Sequence, residues 1–193
     1  RAGTFGSPQI LMLSGIGPVD ELRAQGIGIQ HESPGVGQNL QDHLDYIISW
    51  TSKRTDVVGL GPSGLLRLAK AGFEWRKSGE GLFTSPMAEA GAFLKSSRNV
   101  SRPDLQLHFV IGIVDDHLRK LHFKDGFSCH VCTLRPFARG SVGLNSTNPN
   151  DAPRIDPQFL SDPRDLELLM KGARQMEQIL TAPPLDTWRG KQL

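Results

Sequence analysis

The chain has 193 residues, with 22 Lys+Arg against 20 Asp+Glu and a formal net charge of +2. That length suits one domain or slightly more, and the near-neutral balance argues against a nucleic-acid grip, which favours a strong basic excess. Hydrophobic residues at 38% and charged residues at 22%, with a mean hydropathy of −0.29, describe a globular chain rather than a disordered one.

The opening Arg1-Ala2-Gly3-Thr4 has no apolar run behind a basic start, so no signal peptide is expected. The start is abrupt and lacks Met, which reads as a fragment. Ser7-Pro8 reads as an N-cap followed by proline at the first helical position, with the helix running over 9–13 and stopping at Gly15. Pro18 opens a short second helix that Gly26 closes, and Pro34-Gly35-Val36-Gly37 is a loop. A strand follows at 46–50. Pro62 and Ser63 then open a helix carrying Leu65, Leu66, Leu68, Ala69, Phe73 and Trp75. Residues 87–94 predict a strand. Over 105–111, Leu105, Leu107, Phe109 and Ile111 face one way and Gln106, His108 and Val110 the other. Segments 127–134 and 140–144 look like paired strands joined by a turn at 136–140.

The loop 145–153 has turn chemistry. The clearest helix starts after it, capped by Asp162, with Pro163 and Asp165 in its first turn. Leu166, Leu169, Met170, Ala173, Met176 and Leu180 form its apolar stripe, and Pro183-Pro184 ends it. No stretch approaches the roughly 20 apolar residues of a membrane-spanning helix.

Cys129-His130-Val131-Cys132 has a redox or zinc spacing. There is no second cysteine pair, residue 133 is Thr, and on a strand two positions three apart point to opposite faces. These are expected to be buried, inert thiols, and no metal site is expected. His117 and His122 lack the metalloprotease spacing and read as solvated surface. There is no G-x-G-x-x-G, no G-x-S-x-G and no P-loop lysine, so no self-contained nucleotide-binding domain is visible.

The stretch Gly3-Thr4-Phe5-Gly6-Ser7-Pro8-Gln9-Ile10-Leu11-Met12-Leu13-Ser14-Gly15-Ile16-Gly17 resembles the second signature of the glucose–methanol–choline (GMC) family of flavin-dependent oxidoreductases. The likeness continues in order. Gly37-Gln38-Asn39-Leu40-Gln41-Asp42-His43 resembles a G-x-N-L-x-D-H block, and Glu89-Ala90-Gly91-Ala92-Phe93 an E-x-G-x-F strand. Arg135-Pro136, with Arg139-Gly140-Ser141-Val142, resembles an R-P-x-x-R-G-x-V hairpin. Trp188-Arg189-Gly190-Lys191 is similar to the segment after the last helix in choline-dehydrogenase-like members.

The resemblance implies an α+β fold: a mostly antiparallel sheet of five to six strands with helices on one face, preceded by a short remnant of an FAD-binding domain. Residues 1–43 would be the partial FAD-binding segment and 44–193 the substrate-binding domain. Ala2, Gly3 and Ser7 would touch FAD, and a helix N-terminus suits its phosphates or ribose; for Ser7 an ordinary cap is the competing reading. Asn39, Asp42 and His43 would lie near the flavin, or else form a hydrogen-bonded domain junction. Gln106 and His108 would face the substrate cavity over the flavin ring, with His108 hydrogen-bonding the alkoxide; the alternative is a satisfied core histidine. Glu89 could face the same cavity and favour a cationic alcohol such as choline.

No residue matches the family's catalytic histidine block, so no catalytic residue is assigned. The full-length protein would oxidise a primary alcohol or choline to the aldehyde in the cytoplasm or at a membrane's edge. The electron acceptor is not specified by these residues, and nucleic acid and a transmembrane segment are not expected. FAD would not be retained by this chain alone. The rival reading is a small non-enzymatic α+β ligand-binding or interaction module.

Overall fold

The computed structural model describes residues 2–54, 57–115 and 119–193. It divides into two compact units, one formed by 1–43 with 135–166 and the other by 44–134 with 167–193.

In the first unit, helix α1 spans Gly3–Leu13 and is followed by β1 (Ile16–Gly17), α2 (Val19–Ala24), β2 (His31–Glu32) and β3 (Gln38–Leu40). Gly26, at φ +68, ends α2: the amides of Gly26 and Ile27 return to the carbonyls of Arg23 and Leu22 at 3.0 and 2.9 Å. That is the paired closure only a left-handed residue allows cheaply. Met12, Leu22 and Leu144 form the buried core of this unit. Strands β8 (Gly140–Gly143) and β9 (Arg154–Asp156) complete a three-stranded antiparallel sheet in the order β3-β8-β9. Gly37 lies at φ +75, and a Cβ there would meet the Val142 carbonyl at 2.1 Å. The close approach lets Val142 donate its amide to the Gly37 carbonyl at 2.6 Å.

The second unit is a five-stranded antiparallel sheet. Its strands are β4 (Asp45–Ser52), β5 (Ala88–Leu94), β6 (Leu105–Val110), β7 (Gly126–Thr133) and β10 (Arg189–Gln192), in the order β10-β4-β7-β6-β5. β7 is central and buried on both faces at almost every position, which fits its run of small and apolar residues. Helix α4 (Pro163–Leu180) covers one face: Leu169, Met176 and Leu180 pack with Ile48, Leu105, Leu107, Phe127, Cys129 and Val131. Gly172 permits this approach, since a Cβ there would sit 2.8 Å from Val131 and 2.9 Å from Leu105. The expected antiparallel α+β architecture is therefore the observed one.

Two expectations change, one strand pairing and the buried stripe of α4. The pairing of 127–134 with 140–144 does not form: β7 lies between β4 and β6, and β8 joins β3 and β9 in another sheet. The compact units group 135–166 with 1–43, since β8 pairs with β3 and with β9. On α4, Leu166 and Met170 are exposed, and the buried stripe instead runs through Asp165, Leu169, Gly172, Met176 and Leu180. Helix α3 (Pro62–Ser78) leaves Leu65, Leu66, Phe73 and Trp75 exposed and buries only Gly64 and Ala71.

Candidate functional site

Each unit gathers polar side chains in one place. In the first, the helix starts a full turn earlier than Ser7-Pro8 predicts. Ala2 is its N-cap residue, Pro8 lies inside it, and the Ser7 hydroxyl accepts the Ala2 amide at 3.1 Å instead of capping a helix of its own. The unpaired first-turn amides and the positive dipole end therefore belong to Gly3 and its neighbours, with no acidic side chain in that turn. Gly3 is at φ +76 with open space where a Cβ would stand.

Beside this helix lies a groove of about 440 Å³ lined by Thr4, Ser7, Gly37, Gln38, Asn39 and Gln41, among others. Asn39 is exposed at φ +64. Neutral hydroxyl and amide groups beside free backbone amides suit a phosphate or ribose. Of the expected cofactor residues, Ser7 and Asn39 line this groove, and Ala2 and Gly3 lie at the start of α1. Asp42 and His43 follow β3 as exposed residues, the Asp42 carboxylate accepting the His43 backbone amide at 2.8 Å.

In the second unit the strand registers define one polar sheet face. Gln106 pairs with Cys132 and His108 with His130 across β6–β7, while Asp45 pairs with Cys132 and Ile47 with His130 across β4–β7. Side chains alternate along each strand, so Asp45, Gln106, His108, His130 and Cys132 share the face that α4 does not cover. Gln106 and His108 are half-buried there. Gly91 of β5 stands opposite His108 and puts no side chain directly across from it.

Glu89 is the extra residue of a bulge: Ala88 pairs with Val110 and Ala90 with Phe109. Its carboxylate is exposed and accepts the Ser85 hydroxyl at 2.6 Å.

A short ring of hydrogen bonds shapes the same face. The Val114 amide donates to Ser128 Oγ at 2.8 Å, Ser128 and Ser49 share a hydroxyl bond at 2.7 Å, and Ser49 Oγ donates to the Val114 carbonyl at 3.0 Å. Both serines are buried. With one proton per hydroxyl, the ring closes only if Ser128 donates to Ser49. It pins the loop after β6 back over the sheet.

His130 and Asp45 were not singled out by the sequence. His130 Nδ1 lies 2.7 Å from Asp45 Oδ2. In the sequence His130 stands only inside the cysteine spacing; its place opposite His108 follows from register, which the local pattern does not carry. Both cysteines are buried thiols. Burial pushes Cys129 up to about 11, and burial followed by the Asp45 charge pushes Cys132 up as well. His117 lies outside the described residues. His122, expected on a solvated surface, is held against Asp115 at 2.7 Å with its side chain 20% exposed. An apolar cavity of about 380 Å³, lined by Phe109, Phe127, Leu185 and Trp188 among others, opens on the other sheet face. No helix among the described residues is long and apolar enough to cross a membrane.

This arrangement has relatives. The chain is 41% identical over 187 residues to "Alcohol dehydrogenase [acceptor]" of Pseudomonas putida, covering 95% of this chain and 33% of that protein. It is 37% identical over 191 residues to mitochondrial choline dehydrogenase of Mus musculus, covering 99% of this chain and 32% of that one. It thus spans about a third of the length of these curated relatives. The crystal structure of formate oxidase superposes with a TM-score of 0.85 at 25% identity, over 98% of this chain and 38% of that one. Models of the N- and C-terminal parts of GMC oxidoreductases match residues 1–45 and 136–193, together more than half of the sequence. Motif order, sheet architecture and these matches agree, and the chain belongs to the GMC oxidoreductase family.

Proposed function

We propose that this chain is the central, mostly substrate-binding part of an FAD-dependent enzyme that oxidises a primary alcohol or choline to its aldehyde. The observation that carries this reading is the polar face on which Gln106 and His108 stand side by side in register, away from α4. In this reading 44–193 is the substrate-binding part, its sheet built from 44–134 and 167–193, and 1–43 meets the cofactor.

The residues of the first unit fit such a cofactor. Ala2 and Gly3 at the start of α1, with Ser7 and Asn39 in the groove, would hold its phosphate or ribose portion. Asp42 and His43 would approach it from the loop after β3. FAD when bound supplies the hydride acceptor.

The chain's own residues bind and orient the alcohol. His108 hydrogen-bonds the substrate oxygen, Gln106 offers an amide beside it, and Gly91 leaves room for the carbon skeleton. Glu89 adds a negative charge at the rim of the sheet, favourable to a cationic alcohol. The loop held by Ser49 and Ser128 limits water over that face. The relatives named as choline and alcohol dehydrogenases support this substrate class. A cytoplasmic or membrane-peripheral enzyme fits the same reading.

The test is the full-length flavoprotein offered choline and a panel of aliphatic and aromatic alcohols with a dye acceptor. His108→Ala is expected to lower kcat/KM by about tenfold or more while flavin content stays unchanged. Unchanged kinetics would return His108 to a packing role. Failure of every alcohol to bleach the flavin would favour the non-enzymatic module.

A further inference from the structure

We propose that His130, held by Asp45, is a positioning residue for His108, so that His108 meets the substrate hydroxyl as a hydrogen-bond acceptor. This inference rests on the reading of His108 given above.

An ionised carboxylate only accepts hydrogen bonds, so the 2.7 Å contact with Asp45 places the proton of a neutral His130 on Nδ1. Its Nε2 is then an acceptor. That atom is buried, and among the described residues it has no hydrogen-bond partner. A buried unsatisfied polar atom is uncommon and costly, and calls for a partner or a role.

Geometry narrows the choice. β7 has β4 on one side and β6 on the other. Asp45 on β4 takes Nδ1, and the two ring nitrogens bond in nearly opposite directions, so Nε2 is turned toward β6. The residue directly across on β6 is His108. Residues paired this way have Cβ atoms roughly 4.5–5.5 Å apart, within reach for two imidazoles after a modest side-chain rotation.

A neutral His108 donating one ring N–H to His130 Nε2 must present its other nitrogen as an acceptor. The open side beside Gly91 is where an alcohol O–H can reach that nitrogen. The chain of hydrogen bonds then runs substrate O–H to His108, His108 N–H to His130, and His130 N–H to Asp45. No proton changes hands. The arrangement fixes one tautomer and one orientation of His108. On this face Gln106 and Val110 flank His108 along β6, and Ile47 on β4 stands across from His130.

Two measurements decide it. In nitrogen-15 imidazole spectra of the 193-residue chain, His130 should be protonated at Nδ1 and bare at Nε2. His108 should hold a single tautomer in the parent and mixed tautomers in His130→Ala. A His130 protonated at Nε2, or His108 signals indifferent to His130→Ala, overturns the proposal. In the full-length flavoenzyme, His130→Ala should lower kcat/KM about tenfold at unchanged flavin content. His130→Gln, which keeps an acceptor oxygen, should recover most of that loss. Equal losses in both variants assign His130 to packing and also overturn it. If no alcohol reduces the flavin of the parent enzyme, the proposed function fails, and the spectra still decide whether Asp45 and His130 order His108.

Discussion

Cys129 shows how a local pattern and its surroundings can point to different chemistry. Its thiol sits within the apolar layer under α4, where burial pushes its pKa from 9.0 up to about 11. The folded state therefore holds the proton more tightly than the unfolded chain does. The stability this contributes is fully present below about pH 9 and is lost as pH rises through about 11. At pH 8 a thiol reagent should label Cys129 slowly in the native chain and rapidly in urea, because only the thiolate reacts. Rapid native labelling would contradict the burial. That the two cysteines stand on opposite faces of β7 was legible from strand alternation alone. The pairing of Asp45 with His130 was not, since the two residues are 85 positions apart and meet only through the β4–β7 register.

Among the elements, α4 and β6 followed from sequence most directly, because their signals are local. Asp162 accepts the Arg164 amide at 3.0 Å as a cap should, and its carboxyl is held down to about 2 by the Arg164 guanidinium. The alternation of β6 put Leu105 and Leu107 in the core as expected. Asp165 shows why the α4 stripe shifted. Its buried carboxylate accepts the amides of Phe137 and Ala138 at 2.7 and 2.9 Å, which fixes the first turn by a polar contact that an apolar count passes over. Helix α1 was misplaced for a related reason. Proline marks a first turn only on average, and here the Ser7 hydroxyl reaches back to Ala2 from within the helix. Met176 is completely buried between α4 and the sheet. Met176→Ala should cost about 2–5 kcal/mol in urea denaturation, whereas Leu66→Ser on exposed α3 should stay within about 0.5 kcal/mol.

At the scale of the whole chain, fold class and family were readable because the motifs recur in order along the sequence. The place of β8 beside β3 and β9 rather than beside β7 was not, because it depends on which strands exchange backbone hydrogen bonds. The first unit offers a groove and a helix start but no glycine-rich G-x-G-x-x-G turn for a pyrophosphate. The purified 193-residue chain is accordingly expected to be colourless. Visible absorbance from one tightly bound flavin per chain would show that the groove suffices.

The sheet β3-β8-β9 draws on stretches of chain that flank the whole run from 44 to 134. As the polypeptide leaves the ribosome, β3 appears with neither β8 nor β9 yet made, so its edge waits while β4 to β7 are synthesised. The four-stranded body of the second sheet can zip up during that delay, leaving only its last edge strand and α4 to dock at the end. Translation speed over 44–134 thus sets how long the nascent β3 edge stays open to a wrong neighbour.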